Sequence, residues 1–388
     1  MKRMPLTAPL TTRSPRPMPP VFNRSIQAEI TMRNDTLNRQ TGVTLVEIMI
    51  AITVGLILSA GLVQVFTSSK QAYKMQDSLG LLQENGRFAL NTLTRAAHMA
   101  DHWGGIDPED VQAGSVAGNI TGVGDCDGAW VADTNTGVRG YEGAATIGAV
   151  ADFPTSCIAD SDYVPHSDIL VVRYADAETV PAANNATTVF VRSAVGNVGT
   201  LMLGTGTIPT SLPNQDGTYN FVYKTDIFYL RTCSAKTNGS CNDSVPTLVR
   251  LTLRGDTANA PEMVEEELAE NIEQLQFIYG RDMRSNKDTN SDGTVDASDV
   301  NTGSDGDVDR YDNASVTATN GLSTTDWWSK VVSVRVSLLA RSKDQDSNVT
   351  DSNTYDLLGY SYSVPSADQK YRRKQYTRLI QIRNRNRS

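Results

Sequence analysis

The feature that most constrains this chain is an apolar run near its amino terminus. From Ile48 to Val63 sixteen successive residues carry no charge, and the apolar character extends over residues 43–66 with Glu47 and Gln64 as interruptions. A helix of about 20 apolar residues spans a bilayer. The run therefore predicts one membrane-spanning helix over residues 43–66.

Residues 1–42 form a basic leader without apolar periodicity. They carry a net charge of +5 and hold six of the 15 prolines, a composition that predicts no stable fold. The basic flank predicts a cytoplasmic amino terminus. A cleaved secretory signal fits poorly, because the apolar run is long for one and no small-residue cleavage site follows it. A plain transmembrane anchor is the simplest alternative.

Glu47 distinguishes the run from a plain anchor. A carboxylate inside an apolar helix costs roughly 2.5–3.5 kcal/mol on insertion scales, so such residues are rare and usually paired. Residues 41–47, TGVTLVE, resemble the class III signal of type IV pilins and pseudopilins. The resemblance implies that a prepilin peptidase cleaves after Gly42 and that Val43 becomes the N-methylated first residue. The family usually has Phe at that position.

The same resemblance gives Glu47 a role in assembly, as the fifth residue of the mature chain. Its carboxylate would pair with the α-amine of Val43, its own or a neighbour's, so that two costly charges compensate each other. Leaders of this family are short, and the segment from Met32 to Gly42 has the ordinary length. We therefore expect translation to begin at Met32, with residues 1–31 untranslated.

A second helical segment follows the apolar run. Residues 67–103 contain no proline and show apolar residues at three- and four-residue steps, which predicts an amphipathic continuation of the helix. The whole helix would be roughly 80–85 Å long at about 1.5 Å per residue. Residues 83–90, QENGRFAL, resemble a segment of PilW-type minor pilins. Gly104 and Gly105 predict the end of the helix.

Residues 104–388 predict a β-rich head. Short segments rich in Val, Ile, Tyr and Leu predict strands at 168–174, 188–192, 221–230, 247–253, 330–340 and 376–383. Residues 263–279 predict a short acidic helix that runs into a strand. Stretches rich in Gly, Thr and Asn at 104–165, 193–218 and 343–366 predict exposed loops. Further PilW-like segments are SDILVVRY at 167–174, LQFIYG at 275–280 and WWSKVVSVRVSLLARS at 327–342.

The expected fold is therefore α+β and type IV pilin-like. A long amino-terminal helix, membrane-spanning in its first half, packs on an antiparallel β-rich head with long loops. All four cysteines lie in the head and form no CxxC motif, which favours disulfides of an exported domain over a metal site. Sequence proximity favours the pairs Cys126–Cys157 and Cys233–Cys241, and free thiols are the alternative.

Charge and composition exclude several classes of function. The formal charge is −9, and −14 for residues 43–388 alone, which argues against nucleic-acid binding. Three histidines and four cysteines leave little material for a catalytic centre. The sequence contains no phosphate-binding loop and no catalytic constellation, so we expect no enzymatic activity.

An acidic loop over residues 288–312 carries the one predicted ligand site. Residues 288–299 match the D-x-[DN]-x-[DN]-G pattern of a calcium loop, with aspartate as the terminal ligand. The predicted Ca²⁺ ligands are Asp288, Asn290, Asp292, Thr294, Asp296 and Asp299. A weaker second loop would use Asn301, Asp305, Asp307, Asp309 and Asp312. The alternative is a solvated acidic loop that binds no ion.

The resemblance implies a minor pilin that initiates or primes a type IV pilus. It would sit in the inner membrane with a periplasmic head and later in the pilus at the cell surface. The implied partners are the prepilin peptidase, other minor pilins, the major pilin, the inner-membrane assembly machinery and the lipid bilayer. Two alternatives are a type II secretion pseudopilin and a Ca²⁺-dependent tip adhesin.

Overall fold

The structure, a computed structural model, describes most of the chain from Gly42 onward. The described residues are 42–112, 114, 116, 120–122, 126–181, 187–194, 196–204, 208–255, 260–283, 306–314 and 323–385. The chain divides into two compact units, Met1–Phe66 and Thr67–Ser388.

Helix α1 runs uninterrupted over Leu45–Met99, 55 residues. The Oγ1 atom of Thr44 accepts a 3.3 Å hydrogen bond from the backbone N–H of Glu47, which satisfies one of the free donors at the helix start. In the first unit the apolar side chains of α1 are exposed to solvent. Among the described residues, α1 alone is long and apolar enough to cross a membrane. This agrees with the predicted span.

The part of α1 in the second unit is amphipathic, as predicted. Its buried positions recur every three or four residues, so one face of the helix packs on the head. These buried positions are Leu82, Gly86, Ala89, Leu90, Leu93, Ala96 and Ala97.

The head is built from two larger antiparallel sheets and two hairpins. Two short helices are α2 (Gly128–Val131) and α3 (Thr324–Ser329), and 3₁₀ turns lie at Pro108–Asp110, Ile147–Ala149 and Ser366–Asp368. The strands are β1 (Val111–Gln112), β2 (Thr121–Gly122), β3 (Val138–Tyr141), β4 (Ile169–Thr179), β5 (Val189–Ala194), β6 (Gly199–Leu203), β7 (Thr218–Arg231), β8 (Lys236–Thr237), β9 (Ser240–Cys241), β10 (Thr247–Arg254), β11 (Glu262–Glu270), β12 (Ile272–Arg281), β13 (Arg310–Asp312), β14 (Val331–Arg341), β15 (Thr354–Leu357), β16 (Tyr360–Ser363) and β17 (Arg373–Gln381).

The larger sheet has nine strands in the order β1-β6-β5-β7-β10-β11-β2, with β4 also paired to β7 and β3 paired to β4. The smaller sheet has four strands in the order β13-β12-β14-β17. Strands β15 and β16 form one hairpin, and β8 and β9 form another. The short end pairs β1–β6 and β2–β11 are parallel, whereas the longer pairs are antiparallel.

The nine-stranded sheet is buried on both faces. Along β4, Ile169 and Val171 belong to one apolar cluster, whereas Leu170 and Val172 belong to a second. Alternate residues of a strand point to opposite faces, so the sheet separates two cores. The second core also contains the buried face of α1 and the apolar residues of the four-stranded sheet. This explains why the segment at 168–174 is continuously apolar.

The expected helix within residues 263–279 is wrong. The chain forms strand β11 and then strand β12, and Asn271 between them takes a positive φ of 62°. The reason is pairing with the neighbouring strand β10, which extends along the whole of β11. Glu266 adds contacts to both Arg250 and Arg254 on β10. This tertiary strand pairing outweighs the helix preference of a glutamate-rich segment.

The expectation that residues 104–165 form exposed loops is also wrong for much of that stretch. Ile106, Val131, Phe153 and Ile158 are buried in the first apolar cluster. Asp127 caps α2 by accepting a 2.7 Å hydrogen bond from the backbone of Ala129. The segment therefore covers one face of the nine-stranded sheet, although it has little regular structure.

One buried and one half-buried carboxyl group, those of Asp168 and Glu142, lie where the two larger sheets meet. Asp168 accepts backbone hydrogen bonds from Gly143 at 2.8 Å and from Phe277 at 2.7 Å. Burial raises the pKa of Asp168 well above its ordinary value, and the charge of Glu142 raises it further, against these two hydrogen bonds. Burial also raises the pKa of Glu142. An acid with a raised pKa in the folded protein binds its proton more tightly there, so stability falls as pH rises above the ordinary carboxyl range of about 4.

Replacing Glu142 with Gln removes one of these two charges. We expect Glu142→Gln to raise the thermal midpoint of the full chain near pH 7, because Asp168 then ionises without a charged neighbour. The gain should vanish below about pH 4, where both carboxyls are protonated in both states. Melting followed by tryptophan fluorescence in detergent micelles measures it. The matched control Glu178→Gln, at an exposed position, should stay within about 0.5 kcal/mol of wild type. A lower midpoint for Glu142→Gln at neutral pH would contradict this account.

Candidate functional site

The residues of the predicted processing motif lie at the start of α1. Gly42 and Val43 precede the helix, and Val43 is 64% exposed. Glu47 lies in the first turn and is exposed. No ion pair of Glu47 occurs among the described residues. Val43 and Glu47 are thus both exposed at the start of α1.

A glycine lets α1 approach the last strand of the head. Gly86 lies in the QENGRFAL segment, and a Cβ atom there would fall 2.8 Å from Cζ of Tyr376 on β17. The hydroxyl of Tyr376 donates a 3.4 Å hydrogen bond to the carbonyl of Leu82. The aromatic ring therefore occupies the space that a side chain at position 86 would need.

Polar contacts continue this helix–strand interface on both sides of Gly86. Asn85 donates a 3.0 Å hydrogen bond to the carbonyl of Glu270 at the end of β11. Arg378 on β17 donates to Asn91 at 2.9 Å and to Thr94 at 3.1 Å. The helix is therefore fixed in both rotation and register on the sheet.

Residues after β17 close the carboxyl end of α1. The side-chain amide of Asn384 donates to the carbonyls of His98, Met99 and Ala100, the last at 2.8 Å. These carbonyls lack partners within the helix, so Asn384 satisfies the helix end from outside. Arg385 then pairs with Asp101.

The guanidinium of Arg385 also donates to the backbone carbonyls of Trp328 and Val331. It thereby ties α3 and the start of β14 to the end of α1. Trp327 and Trp328 pack edge to face, with ring centroids 4.6 Å apart, and Trp328 packs on Tyr279 at 4.8 Å. The PilW-like segments that include these aromatic residues thus contribute to one helix-docking surface. We use this name for Gly86, Tyr376, Arg378, Asn384 and Arg385 with their contacts.

Sequence reasoning does not single out Tyr376, Arg378 or Arg385. The available signal is the proline-free basic strand at the carboxyl terminus, whose composition is typical of a charged edge strand. It is an edge strand, but Arg378 also faces α1. The two histidines at the helix end contact backbone: His98 Nδ1 lies 2.9 Å from the carbonyl of Gln381, and His102 Nδ1 lies 2.8 Å from that of Ala175.

Both disulfides favoured by the sequence are present. Cys126 is joined to Cys157 across 31 residues, and Cys233 to Cys241 across eight. The first links the segment before α2 to the loop that precedes β4. Such bonds restrict the unfolded chain, and they are typical of exported domains.

The predicted calcium loops lie largely outside the described residues. This holds for the first set, Asp288, Asn290, Asp292, Thr294, Asp296 and Asp299, and for Asn301 and Asp305 of the second. Of the remaining second-loop residues, Asp312 pairs with Arg281 and Arg310. Within the described ranges, no group of three His, Cys, Asp or Glu residues is placed to hold a metal ion.

Two comparisons with protein-family models agree with this geometry. A model described as Type IV Pilus-assembly protein W matches residues 227–384, which include Trp327, Trp328, Tyr376, Arg378 and Asn384 of the interface. A model described as Prokaryotic N-terminal methylation motif matches residues 37–63. No curated protein and no solved structure matches the chain.

The long apolar helix, the antiparallel head and the methylation motif define a pilin-like α+β protein with a prepilin-type amino terminus. Within this class, the match over 227–384 supports a pilin of the PilW type. Both family models describe pilus components and not enzymes.

Two glycines of α1 provide a matched test of the helix-docking surface. Gly86→Ala should destabilise the head by about 1–3 kcal/mol, because the methyl group overlaps the Tyr376 ring. A Cβ atom added at Gly80 would meet nothing within 4 Å, so Gly80→Ala should stabilise the helix by roughly 0.5–1 kcal/mol. Chemical denaturation of the full chain in micelles measures both. Equal stabilisation by the two substitutions would show that Tyr376 does not fill the space at position 86.

Proposed function

We propose that this protein is a minor pilin that primes type IV pilus assembly after cleavage between Gly42 and Val43. The observation that carries the proposal is the division of one continuous helix into two parts. Residues 45–66 expose their apolar side chains, whereas residues from Leu82 onward dock on the head. A subunit that must leave a bilayer and enter a filament needs one apolar segment for lipid or other helices and one for its own head.

Glu47 is the second support for the proposal. A carboxylate in an apolar segment is costly unless a cation compensates it. Cleavage after Gly42 would create such a cation, the α-amine of Val43. Pairing of Glu47 with the amine of a neighbouring subunit would set the axial register between subunits. We also propose the topology that follows: a single pass through the inner membrane, with the head in the periplasm.

The proposed partners follow from this role. They are the prepilin peptidase, the other minor pilins, the major pilin and the inner-membrane assembly machinery. The second candidate function is a pseudopilin of a type II secretion system, which would use the same processing motif. The Pilus-assembly match over 227–384 favours the pilus.

The role of Glu47 predicts a specific assembly defect. Glu47→Gln keeps the size of the side chain but removes its charge, so the variant should be cleaved normally and fail to support piliation. Mass spectrometry of the mature amino terminus and electron microscopy of surface pili measure the two steps. The expected mature chain begins at Val43 carrying a methyl group.

The matched control is Glu84→Gln, an exposed glutamate on the same helix. It should leave both cleavage and piliation unchanged. If the wild-type protein keeps its leader, cleavage does not occur and a plain membrane anchor explains the apolar run instead. Normal piliation both in Glu47→Gln and after deletion of the whole gene would contradict the structural role.

We propose separately that residues 288–299 bind Ca²⁺. Six oxygen donors at the spacing of a calcium loop, with Gly293 at the turn, support it. Without a cation, the eight aspartates of residues 288–312 repel one another. A Ca²⁺-bound loop could also serve a tip adhesin, which is the third candidate function.

Isothermal titration with Ca²⁺ tests this loop. We expect the wild-type chain to bind with a dissociation constant of roughly 10⁻⁴–10⁻³ M, the range of extracellular calcium modules. The double substitution Asp288→Ala and Asp292→Ala should abolish the heat. If both proteins give equal and negligible heats, the loop binds no calcium.

A further inference from the structure

A cleft of about 490 Å³ opens between the β15–β16 hairpin and the body of the head. Its volume lies within the roughly 300–1,000 Å³ typical of small-ligand sites. Its walls come from separate parts of the chain: the hairpin, the loop before β4, the start of β12, the end of β14 and the segment before β17. The residues that matter below are Tyr360, Tyr362, His166, Glu273, Arg341 and Asp368.

The hairpin presents an aromatic face to this cleft. Tyr360 and Tyr362 are two residues apart on β16, so their side chains lie on the same face of the hairpin. Their cross-strand partners are Leu357 and Tyr355. Leu357 is fully buried, yet both β16 tyrosines remain partly exposed. The inward face of the hairpin therefore reaches the core at one end and leaves two aromatic rings partly exposed at the cleft, with the Tyr360 ring 6.2 Å from the ring of His166.

Glu273 lines the cleft and is held in place by Arg373, a buried arginine that does not line it. Arg373, whose side chain is fully buried, binds both carboxylate oxygens of Glu273 and also pairs with Asp351. Burial and the neighbouring charge of Glu273 raise the pKa of the Tyr362 hydroxyl. On the facing wall, Gln276 donates a 2.6 Å hydrogen bond to the carbonyl of His166. The cleft is thus preorganised by contacts that leave the rings of Tyr360 and His166 partly or fully exposed.

One polar group in the cleft wall has a free donor. The side chain of Arg341 is 9% exposed and donates to Asp368 at 3.3 Å and to the carbonyl of Ser244 at 3.0 Å. Its Nε–H is buried and has no hydrogen-bond partner among the described residues. Buried donors are rarely left without an acceptor. Because this atom is enclosed by the protein, the guanidinium positions Asp368 at the cleft wall and does not itself reach a ligand.

The charges around the cleft favour a neutral ligand. Glu273 is compensated by Arg373, and Asp368 is compensated by Arg341. A cationic ligand would therefore find no unpaired carboxylate in these two residues, and an anionic ligand would have to compete with them for the arginines. What remains available is aromatic surface together with hydroxyl, carboxylate and N–H groups that donate and accept hydrogen bonds.

We propose that this cleft binds a neutral saccharide. A sugar ring has one face of C–H groups, which packs on an aromatic ring, and a rim of hydroxyls, which donate and accept hydrogen bonds. Tyr360 supplies the aromatic surface, with the His166 ring 6.2 Å away, and the partly exposed carboxylate of Asp368 supplies a polar partner for the hydroxyls. The site lies in the head and does not depend on the processing motif, so it stands independently of the pilus role.

Saturation-transfer difference NMR on the full chain tests the proposal, in lauryldimethylamine oxide micelles because this detergent carries no sugar. The probes are lactose, maltotriose and tri-N-acetylchitotriose, with phosphocholine as a charged comparison. Saturation should transfer to ring C–H protons of at least one saccharide and not to phosphocholine. Tyr360→Ala should weaken binding about tenfold or more, as expected for loss of an aromatic anchor. Tyr360→Phe, which keeps the ring, should retain binding.

The matched control is Tyr219→Ala, which removes a tyrosine that is 43% exposed on β7. It should bind the saccharide as wild type does. The proposal is overturned if none of the three saccharides receives saturation, if phosphocholine binds in their place, or if Tyr360→Ala binds as tightly as wild type. Circular dichroism of each variant shows that a loss of binding is not a loss of fold.

Discussion

The contact of α1 with the carboxyl-terminal strand is the interaction on which the rest of the head depends. Residues near the two ends of the second unit meet here, where Tyr376 lies over Gly86 and Asn384 closes the helix end. The four-stranded sheet buries its apolar face in a core that it shares with this helix and the nine-stranded sheet. A helix that was rotated or shifted would uncover the second core, and the polar contacts of Arg378 make such a shift costly.

The helix changes its physical role along its length without a break in hydrogen bonding. Before Leu82 the described residues of α1 are largely exposed, and from there on one face is buried. Gly80 and Gly86 mark this change, because a side chain would be accommodated at the first and excluded at the second. Glycine is therefore a weak point of the helix at the first position and a consequence of close packing at the second. From the sequence alone, Gly80 and Gly86 cannot be told apart, because both are simply glycines within a predicted helix.

Much of the fold is predictable because it depends on local patterns. Periodicity and composition identify the apolar run, the amphipathic continuation and the six strands, with ends that differ by a few residues. The failures come from long-range contacts. The short helix expected at the start of 263–279 is strand β11, because this segment pairs along its length with β10, where Arg250 and Arg254 meet Glu266. The segment 104–165 is largely packed because its scattered aromatic residues, such as Phe153, cover a sheet face.

The candidate site likewise combines residues that are adjacent in the sequence, which can be predicted, with residues that are far apart, which cannot. Gly42, Val43 and Glu47 form a contiguous motif, so spacing alone identifies them. The helix-docking surface joins distant residues, such as Tyr376 and Leu82, which are 294 positions apart, and no local pattern reports such a pairing. Both sites nevertheless include residues of the same helix, α1. The docking surface keeps the head fixed on the second half of α1. A change in the docking surface therefore acts on the stability of the head, whereas a change of Glu47 acts on charge.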